Sequence, residues 1–319
     1  MYVVWCCGLR VLVTGGAGFI GHNIAIHLFS RGFDVVVYDS MERASRLGVR
    51  RLGELGIPVV RVDAMGVRDL RGFDVVVHCA AYVDVAESME NPGIYFSNNV
   101  AGTASVAKAS ADSGSLMIYV SSASVYGDPV KIPIPEDHPI KPISPYGLSK
   151  AMGEQVVELF SRIYGLKYII LRLFNVYGPG QSQSYAGVIT RFIESVLRRE
   201  PPRIYGDGTQ TRDFIHVSDV ARAVELAIER KAYNEVFNIG SGKQISILEL
   251  AKLIMRLANL EGEPVFDKPR PGDIKHSLAD ISRARKILGF EPSIPLEKGL
   301  EDLLRTWYRY QSTNHSSPP

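Results

Sequence analysis

The chain has 319 residues, 46% of them hydrophobic and 22% charged, which is the composition of a folded globular protein and excludes a disordered one. Lys and Arg total 36 against 34 Asp and Glu, and a formal charge of +2 gives no electrostatic reason to expect nucleic acid or a membrane surface as partner. Three cysteines, two of them adjacent (Cys6 and Cys7), cannot build a disulfide framework and point to a reducing, cytoplasmic setting.

Residues 1–9 are apolar, but no basic stretch precedes them and no small-residue cleavage site follows, so no signal peptide is read there. Residues 11–30 carry no Asp, Glu, Lys or Arg and have the length of a membrane span. Their glycines, histidines and asparagine fit a strand, a turn and a helix better. Short β-rich apolar runs follow the chain at 11–13, 35–38, 59–62, 75–77, 117–120 and 169–173. Apolar without alternation, they suit parallel strands buried on both faces. Helical patterns at 21–31, 98–113 and 146–164 lie between several of them. The alternation predicts an α/β fold, a Rossmann-like doubly wound parallel sheet with right-handed crossovers.

After Asn175 the texture changes. A glycine–proline loop at 177–181 is followed by a helix at 188–197, then strands at 203–205 and 213–217 around the turn Gly206-Asp-Gly208. Helices are expected at 220–229, 247–259, 281–288 and 296–310, and one more strand at 236–239. Ser218 or Asp219, and Ser246, stand where N-caps belong. The pattern divides the chain into residues 1–175, a dinucleotide-binding unit, and 176–319, a smaller mixed α/β substrate unit partly interleaved with the first. Residues 311–319 read as a polar tail.

Thr14-Gly-Gly-Ala-Gly-Phe-Ile-Gly21 leaves the first strand and opens the first helix. It scans either as Gly15-x-x-Gly18-x-x-Gly21 or as Gly16-x-Gly18-x-x-Gly21. The chemistry is the same: a tight turn, close backbone approach to a pyrophosphate, and unpaired N–H groups at a helix start. Asp39, at the end of the second strand, can accept hydrogen bonds from an adenosine ribose and repels a 2′-phosphate, which favours NAD over NADP. Arg43 and Arg46 lie close enough in sequence to soften that preference. Asp63, ending the third strand, is a candidate adenine contact.

Tyr146 and Lys150 stand four apart on one face at the start of a helix. A tyrosine acts as a base near neutral pH only if its pKa falls by about three units, roughly 4 kcal/mol. A cation about 4 Å away at an effective dielectric of about 20 supplies that much, so Lys150, assisted by a positive nicotinamide ring, is a sufficient cause. Upstream, Tyr119-Val-Ser-Ser-Ala-Ser-Val-Tyr-Gly127 begins as a strand and leaves as a loop at its carboxyl end. Ser122 is placed there to bond the reacting hydroxyl and relay its proton to Tyr146.

The glycine turn, Asp39, His78-Cys-Ala-Ala81, Asn99-Val-Ala-Gly-Thr103, Ser122, Tyr146-x-x-x-Lys150 and Arg172-Leu-Phe-Asn-Val-Tyr-Gly-Pro179 resemble the extended short-chain dehydrogenase/reductase superfamily. The likeness runs from Arg10 to about Tyr310 and is closest to the nucleotide-sugar 4-epimerases, those acting on UDP-glucose and UDP-galactose above all. The resemblance implies a tightly held NAD regenerated in each cycle, and no metal. Its cofactor contacts map onto Gly15, Gly18, Phe19, Ile20 and Gly21 in the turn, and onto Asp39, Asp63 and Ala64 at the adenosine end. Ala80, Ala81, Asn99, Ser121, Tyr146, Lys150 and Phe174 complete that set. It also implies that Arg212 and Arg270 hold the substrate diphosphate, with Asn175, Val188 and Asp273 beside them. A surface ion pair of either arginine with Asp213 or Asp273 is the competing reading.

Sibling dehydratases of the superfamily carry an Asp-Glu pair after the catalytic hydroxyl residue, and decarboxylases a glutamate; Ala123-Ser124 stands here, with no acid. Oxidation and re-reduction at one carbon remains, which is epimerisation. Ser277 aligns with a family position where a bulky tyrosine excludes N-acetylated sugars, so the resemblance implies that UDP-GlcNAc and UDP-GalNAc are admitted. The alternatives are a UDP-glucuronate 4-epimerase, an NADH-consuming ketoreductase, and a dinucleotide-binding sensor without catalysis. A homodimer through a four-helix bundle, built from the helices at 98–111 and 146–164, is implied as well.

Overall fold

The structure, a computed structural model, describes residues 8–181, 187–269 and 274–313, with side chains as far as residue 308. In chain order, β1 (Arg10–Thr14), α1 (Phe19–Ser30), β2 (Asp34–Asp39), α2 (Arg46–Glu54), β3 (Val59–Arg61) and β4 (Val75–His78) open the fold. Then come α3 (Val85–Glu90), α4 (Pro92–Tyr95), a π-helical turn (Phe96–Ala101), α5 (Gly102–Ser113), β5 (Leu116–Ser122), α6 (Pro145–Tyr164), β6 (Tyr168–Leu173) and β7 (Asn175–Tyr177). The remainder comprises α7 (Val188–Leu197), β8 (Arg203–Tyr205), β9 (Thr211–His216), α8 (Val217–Arg230), β10 (Glu235–Ile239), β11 (Gln244–Ser246), α9 (Ile247–Leu257), β12 (Val265–Asp267), α10 (Ser282–Leu288) and α11 (Leu296–Thr313).

Seven strands form one parallel sheet in the order β10-β6-β5-β4-β1-β2-β3. The expected doubly wound α/β architecture is therefore present. Strand periodicity explains the unbroken apolar runs. Val11, Val13, Val35, Val37, Val75, Val77, Ile118 and Val120 point to one face and pack with α1, α8 and α10. Leu12, Val36, Val76, Met117, Tyr119 and Ile170 point to the other and pack with α5 and α6. Each of the Val, Leu, Ile and Met side chains among them contributes about 1.5–3 kcal/mol by leaving water. The run at 59–62 departs from this. β3 is the edge strand, and Val59 and Val60 are exposed, because among the described residues no further strand pairs with that edge.

β10, α8 and α10 return from the second half of the chain to complete the large sheet and one of its cores. The other second-half elements build a core of their own around Ile193, Leu250, Ile254 and Trp307, with a three-stranded sheet β11-β9-β7 and the pair β12-β8. Among the caps, Ser246 makes a full capping box with Glu249. α8 is capped by His216, whose ring accepts from the Ser218 N–H, rather than by Ser218 or Asp219. Asp219 is buried and instead accepts from the N–H and hydroxyl of Ser293 and the N–H of Ile294. Among the described residues no helix is long and apolar enough to cross a membrane.

β1 has β2 on one side and β4 on the other, and the chain runs outward in opposite directions from there. The carboxyl ends of β1 and β4 thus bound the crevice where ligands bind in such sheets.

Candidate active site

The turn after β1 is shaped by what a side chain would strike. Gly15 has φ +64°, and a Cβ on it would stand 2.6 Å from the backbone N and Cα of Ala80 in the segment after β4. A Cβ on Gly21 would lie 2.2 Å from the Gly15 carbonyl oxygen, so α1 starts as close to the turn as backbone permits. Gly18 caps α1 without a side-chain hydrogen bond, and the first turn has no acidic residue. The N–H groups there and the positive end of the helix are thus available to an anion.

The cavity above this turn is lined by Gly15, Gly18, Phe19, Ile20, Gly21, Asp39, Asp63, Ala64, Ala80 and Ala81, all expected at the cofactor. The Asp39 carboxylate is fixed by the N–H of Ala17 at 3.0 Å and of Met41 at 2.8 Å, so it faces the cavity in one orientation. Asp63 accepts from the Met65 N–H at 2.7 Å. A turn with no room for a Cβ at Gly15 or Gly21, an uncapped helix start and an anchored carboxylate fit a dinucleotide. Arg43 also lines the cavity, but both its terminal nitrogens grip Glu87, at 2.7 and 2.8 Å, and its guanidinium lies 3.7 Å from the centre of the Tyr82 ring. Its charge is balanced in place, which leaves the Asp39 preference for NAD intact. Arg46 is exposed at the start of α2.

Two expected cofactor residues have side chains hydrogen-bonded within the protein. Asn99 is buried, and its amide is spent on the N–H and carbonyl of Tyr82 and on the Ser149 hydroxyl, so it holds the segment after β4 in place. The Ser121 hydroxyl donates to Glu154. Phe174 is buried in a small core with Val125, Tyr126 and Ala279, just behind the loop that follows Ser122. His78, at the end of β4, is buried between Thr14 and Thr103, and burial lowers its pKa to about 3. Thr103 donates its own proton to the Asn99 carbonyl, so His78 Nε2 carries the hydrogen toward Thr103 and Nδ1 accepts from Thr14.

Ser122, Tyr146 and Lys150 converge where β5 ends against the start of α6. Ser122 Oγ accepts from the Ser124 N–H at 3.2 Å and from the Ser124 hydroxyl at 2.8 Å, which leaves its own proton to donate. Burial raises the Tyr146 phenol above its ordinary value, and hydrogen bonds with Ser122 and Ser124 oppose that rise. The Lys150 ammonium donates to the Val120 carbonyl at 2.7 Å, and burial lowers its pKa to about 8. The ring of Tyr95 meets Tyr146 edge to face at 6.5 Å between centroids.

On the substrate side, Asn175 donates to the Asp213 carbonyl at 3.2 Å, and Val188 is the first residue of α7. Arg212, on β9, donates to the Thr211 carbonyl at 2.9 Å. The Asp213 carboxylate points away into the interior and accepts from Ser241 N–H and hydroxyl, Gly242 N–H and Ala279 N–H. Those bonds occupy the Asp213 carboxylate, one of the two acids of the ion-pair reading. Ser277 is buried beside β9, its N–H bonded to the Thr211 carbonyl at 3.1 Å. Arg270 and Asp273 lie outside the described residues.

A second cavity, unread in the sequence, is lined by Tyr205, Gln210, Phe266, Pro269, Ile274 and Lys275. An aromatic residue directly before Gly206-Asp-Gly208 was its one visible signal.

The family model described as the NAD dependent epimerase/dehydratase family matches residues 11–240. Among solved structures, UDP-glucose 4-epimerase of Thermotoga maritima with UDP-glucose is 36% identical with a TM-score of 0.88, covering 95% of this chain and 100% of that one. UDP-N-acetylglucosamine 4-epimerase of Methanobrevibacter ruminantium is 35% identical with a TM-score of 0.89, covering 95% and 99%. UDP-glucuronic acid 4-epimerase of Bacillus cereus, in complex with UDP-glucuronic acid and NAD, is 32% identical with a TM-score of 0.86, covering 93% and 98%. The glycine cradle, the anchored Asp39 and these matches along most of the chain agree, and the chain belongs to the NAD-dependent epimerase/dehydratase family.

Proposed function

We propose that the chain epimerises a UDP-hexose at C4, interconverting UDP-galactose and UDP-glucose through a 4-keto sugar. The observation that carries this reading is the convergence of Ser122, Tyr146 and Lys150 beside a dinucleotide cradle, with no carboxylate at Ala123 or Ser124. Bound NAD supplies reversible hydride transfer at the sugar C4. Tyr146 takes the O4 proton through Ser122, whose hydroxyl is oriented by Ser124. Lys150 keeps a positive charge beside that proton transfer and favours the phenolate. Arg212 and Arg270 clamp the diphosphate, since a guanidinium fork matches phosphate oxygens, and Asn175, Val188 and Asp273 line the sugar's path. Held by its diphosphate alone, the sugar could turn about this clamp and present its other face to the cofactor side of the site.

The cavity of Tyr205, Gln210 and Phe266 offers aromatic faces and an amide to the uracil. Residues 1–175 serve the cofactor and residues 176–319 the substrate, with β10 shared. A buried serine at 277 leaves space for an N-acetyl group, a reading favoured by the likeness to an N-acetylglucosamine epimerase. NAD stays bound between turnovers, in a cytoplasmic homodimer. Leu148, Leu159 and Ile163 lie exposed along one side of α6, as a four-helix bundle with α5 requires. Incubating the purified protein with UDP-galactose without added NAD tests the reading. Appearance of UDP-glucose supports it; absence of turnover, or strict dependence on added NADH, overturns it.

A further inference from the structure

Three consecutive residues of β5 are each fastened to α6. The Tyr119 hydroxyl donates to the Lys150 carbonyl at 3.3 Å and lies so near the helix that a Cβ on Gly153 would stand 2.1 Å from it. The Val120 carbonyl accepts from Lys150 Nζ at 2.7 Å. The Ser121 hydroxyl donates to Glu154, and Ser122, next in the strand, opposes the rise in the Tyr146 pKa. Glu154 follows Lys150 by one helical turn and so shares its face.

Glu154 is 4% exposed, and Arg172 of β6 clamps it from behind. Nη2 of Arg172 lies 2.8 Å from one carboxylate oxygen, and Nε lies 3.0 and 3.2 Å from the two oxygens. Nη1 of the same arginine donates to the Tyr126 hydroxyl at 3.0 Å and to the Glu136 carbonyl at 2.8 Å. The carboxylate therefore cannot shift without moving β6 or the loop beyond Ser122. Desolvation makes such a buried pair a poor source of stability, and apolar side chains of similar size would pack as well. A carboxylate supplies two things they do not: an acceptor for Ser121 and a negative charge one turn from Lys150.

We propose that Glu154 is a positioning residue of the active site, fixing the end of β5 that carries Ser122 against Tyr146 and holding Lys150 in its charged form. The inference rests on the epimerase reading for its kinetic consequences only. The groups facing Lys150 are Cys79 and His78 from β4 and its exit, the Tyr119 ring at 5.1 Å, and Tyr146 and Glu154 from its own helix. Burial pushes the Cys79 thiol up to about 12 and His78 down to about 3, so both are neutral near pH 7. With Tyr146 protonated, Glu154 is the negative charge among them. Arg172, Lys150 and Glu158 are the charged groups that interact with Glu154 in turn.

Two readouts on the NAD-loaded enzyme test this. One is titration of Lys150 by NMR of lysine labelled with carbon-13 at Cε, assigned with Lys150→Arg; the other is the pH profile of UDP-galactose turnover. In Glu154→Gln the Lys150 midpoint and the alkaline limb of kcat both move down by about one pH unit, with KM changed less than about twofold. Glu154→Asp keeps the charge, so the limb stays in place, while the longer reach to Ser121 lowers kcat by about tenfold. An unchanged Lys150 midpoint in Glu154→Gln overturns the proposal. If that variant does not fold, a limb displaced in Glu154→Asp, or wild-type kcat in Ser121→Ala, overturns it. A wild-type protein that turns over no UDP-galactose, yet shows the Lys150 shift in Glu154→Gln, removes the epimerase reading and leaves the role of Glu154 standing.

Discussion

The Ser45 hydroxyl donates a 3.0 Å hydrogen bond to the Gly180 carbonyl, tying the start of α2 to the loop that follows β7. Asn23 of α1 adds a second tie, to the Pro179 carbonyl at 3.1 Å. Gly180 and Gln181 line the same cavity as the glycine turn, so this loop forms part of its wall. Gly180 has φ +89°, and a Cβ there would stand 2.4 Å from Cε1 of the buried His22 ring.

Gly180→Val must therefore push the loop off His22 and strain its backbone, at a cost of about 1–3 kcal/mol. The variant is expected to be purified with several-fold less bound NAD than the parent, at a lower melting midpoint. Ultraviolet absorbance of nucleotide released on denaturation, with calorimetry, measures both. Parental cofactor content in a strained variant would show that the loop does not retain NAD.

Removing the phenol in Tyr146→Phe is expected to lower kcat by about a hundredfold to ten-thousandfold, the range for a lost general acid–base group. Ser122→Ala should fall in the same direction, because Tyr146 then lacks its relay. Bound NAD should persist in both, since the cradle is untouched. Steady-state kinetics alongside cofactor content separates lost chemistry from lost binding.

His78 makes stability fall in acid. Its pKa is about 6.5 when unfolded and about 3 when buried in the fold, so below pH 6.5 the unfolded chain binds a proton that the native state refuses. Its contribution is full above pH 6.5, is lost progressively toward pH 3, and has dropped by roughly 2 kcal/mol at pH 5. His22, lowered to about 4 by burial, adds in the same direction. Urea midpoints from pH 7 to pH 5 should decline, and less steeply in His78→Asn. Parallel declines in the two proteins would remove His78 as a cause.

A bulky residue at 277 should close the sugar pocket selectively. Ser277→Tyr is expected to lose UDP-N-acetylgalactosamine turnover by at least about tenfold relative to UDP-galactose. Competition between the two substrates measures that ratio directly, and an unchanged ratio would detach Ser277 from the choice of sugar.

Much of this was legible because burial leaves marks in sequence. Central strands such as Met117–Val120 read clearly because both faces are covered, and the glycine turn read clearly because Gly15 and Gly21 have no room for a Cβ. Val59 and Val60 carried the same mark misleadingly, since nothing in a local run says that its strand lies at an edge. α2 went unread because its apolar face is only Leu47 and Leu52 among arginines. The grip of Arg43 on Glu87, the tie of Ser45 to Gly180 and the clamp of Arg172 on Glu154 join residues 44, 135 and 18 positions apart. Such pairings arise from packing, and neither partner announces the other.

In the epimerase reading one sugar carbon is oxidised and re-reduced within a single bound complex. Turnover of UDP-galactose carrying deuterium at C4, in ordinary water without added NAD, distinguishes this from exchange with solvent. UDP-glucose that retains deuterium at C4 is the predicted result. UDP-glucose with hydrogen from solvent at C4 would contradict it.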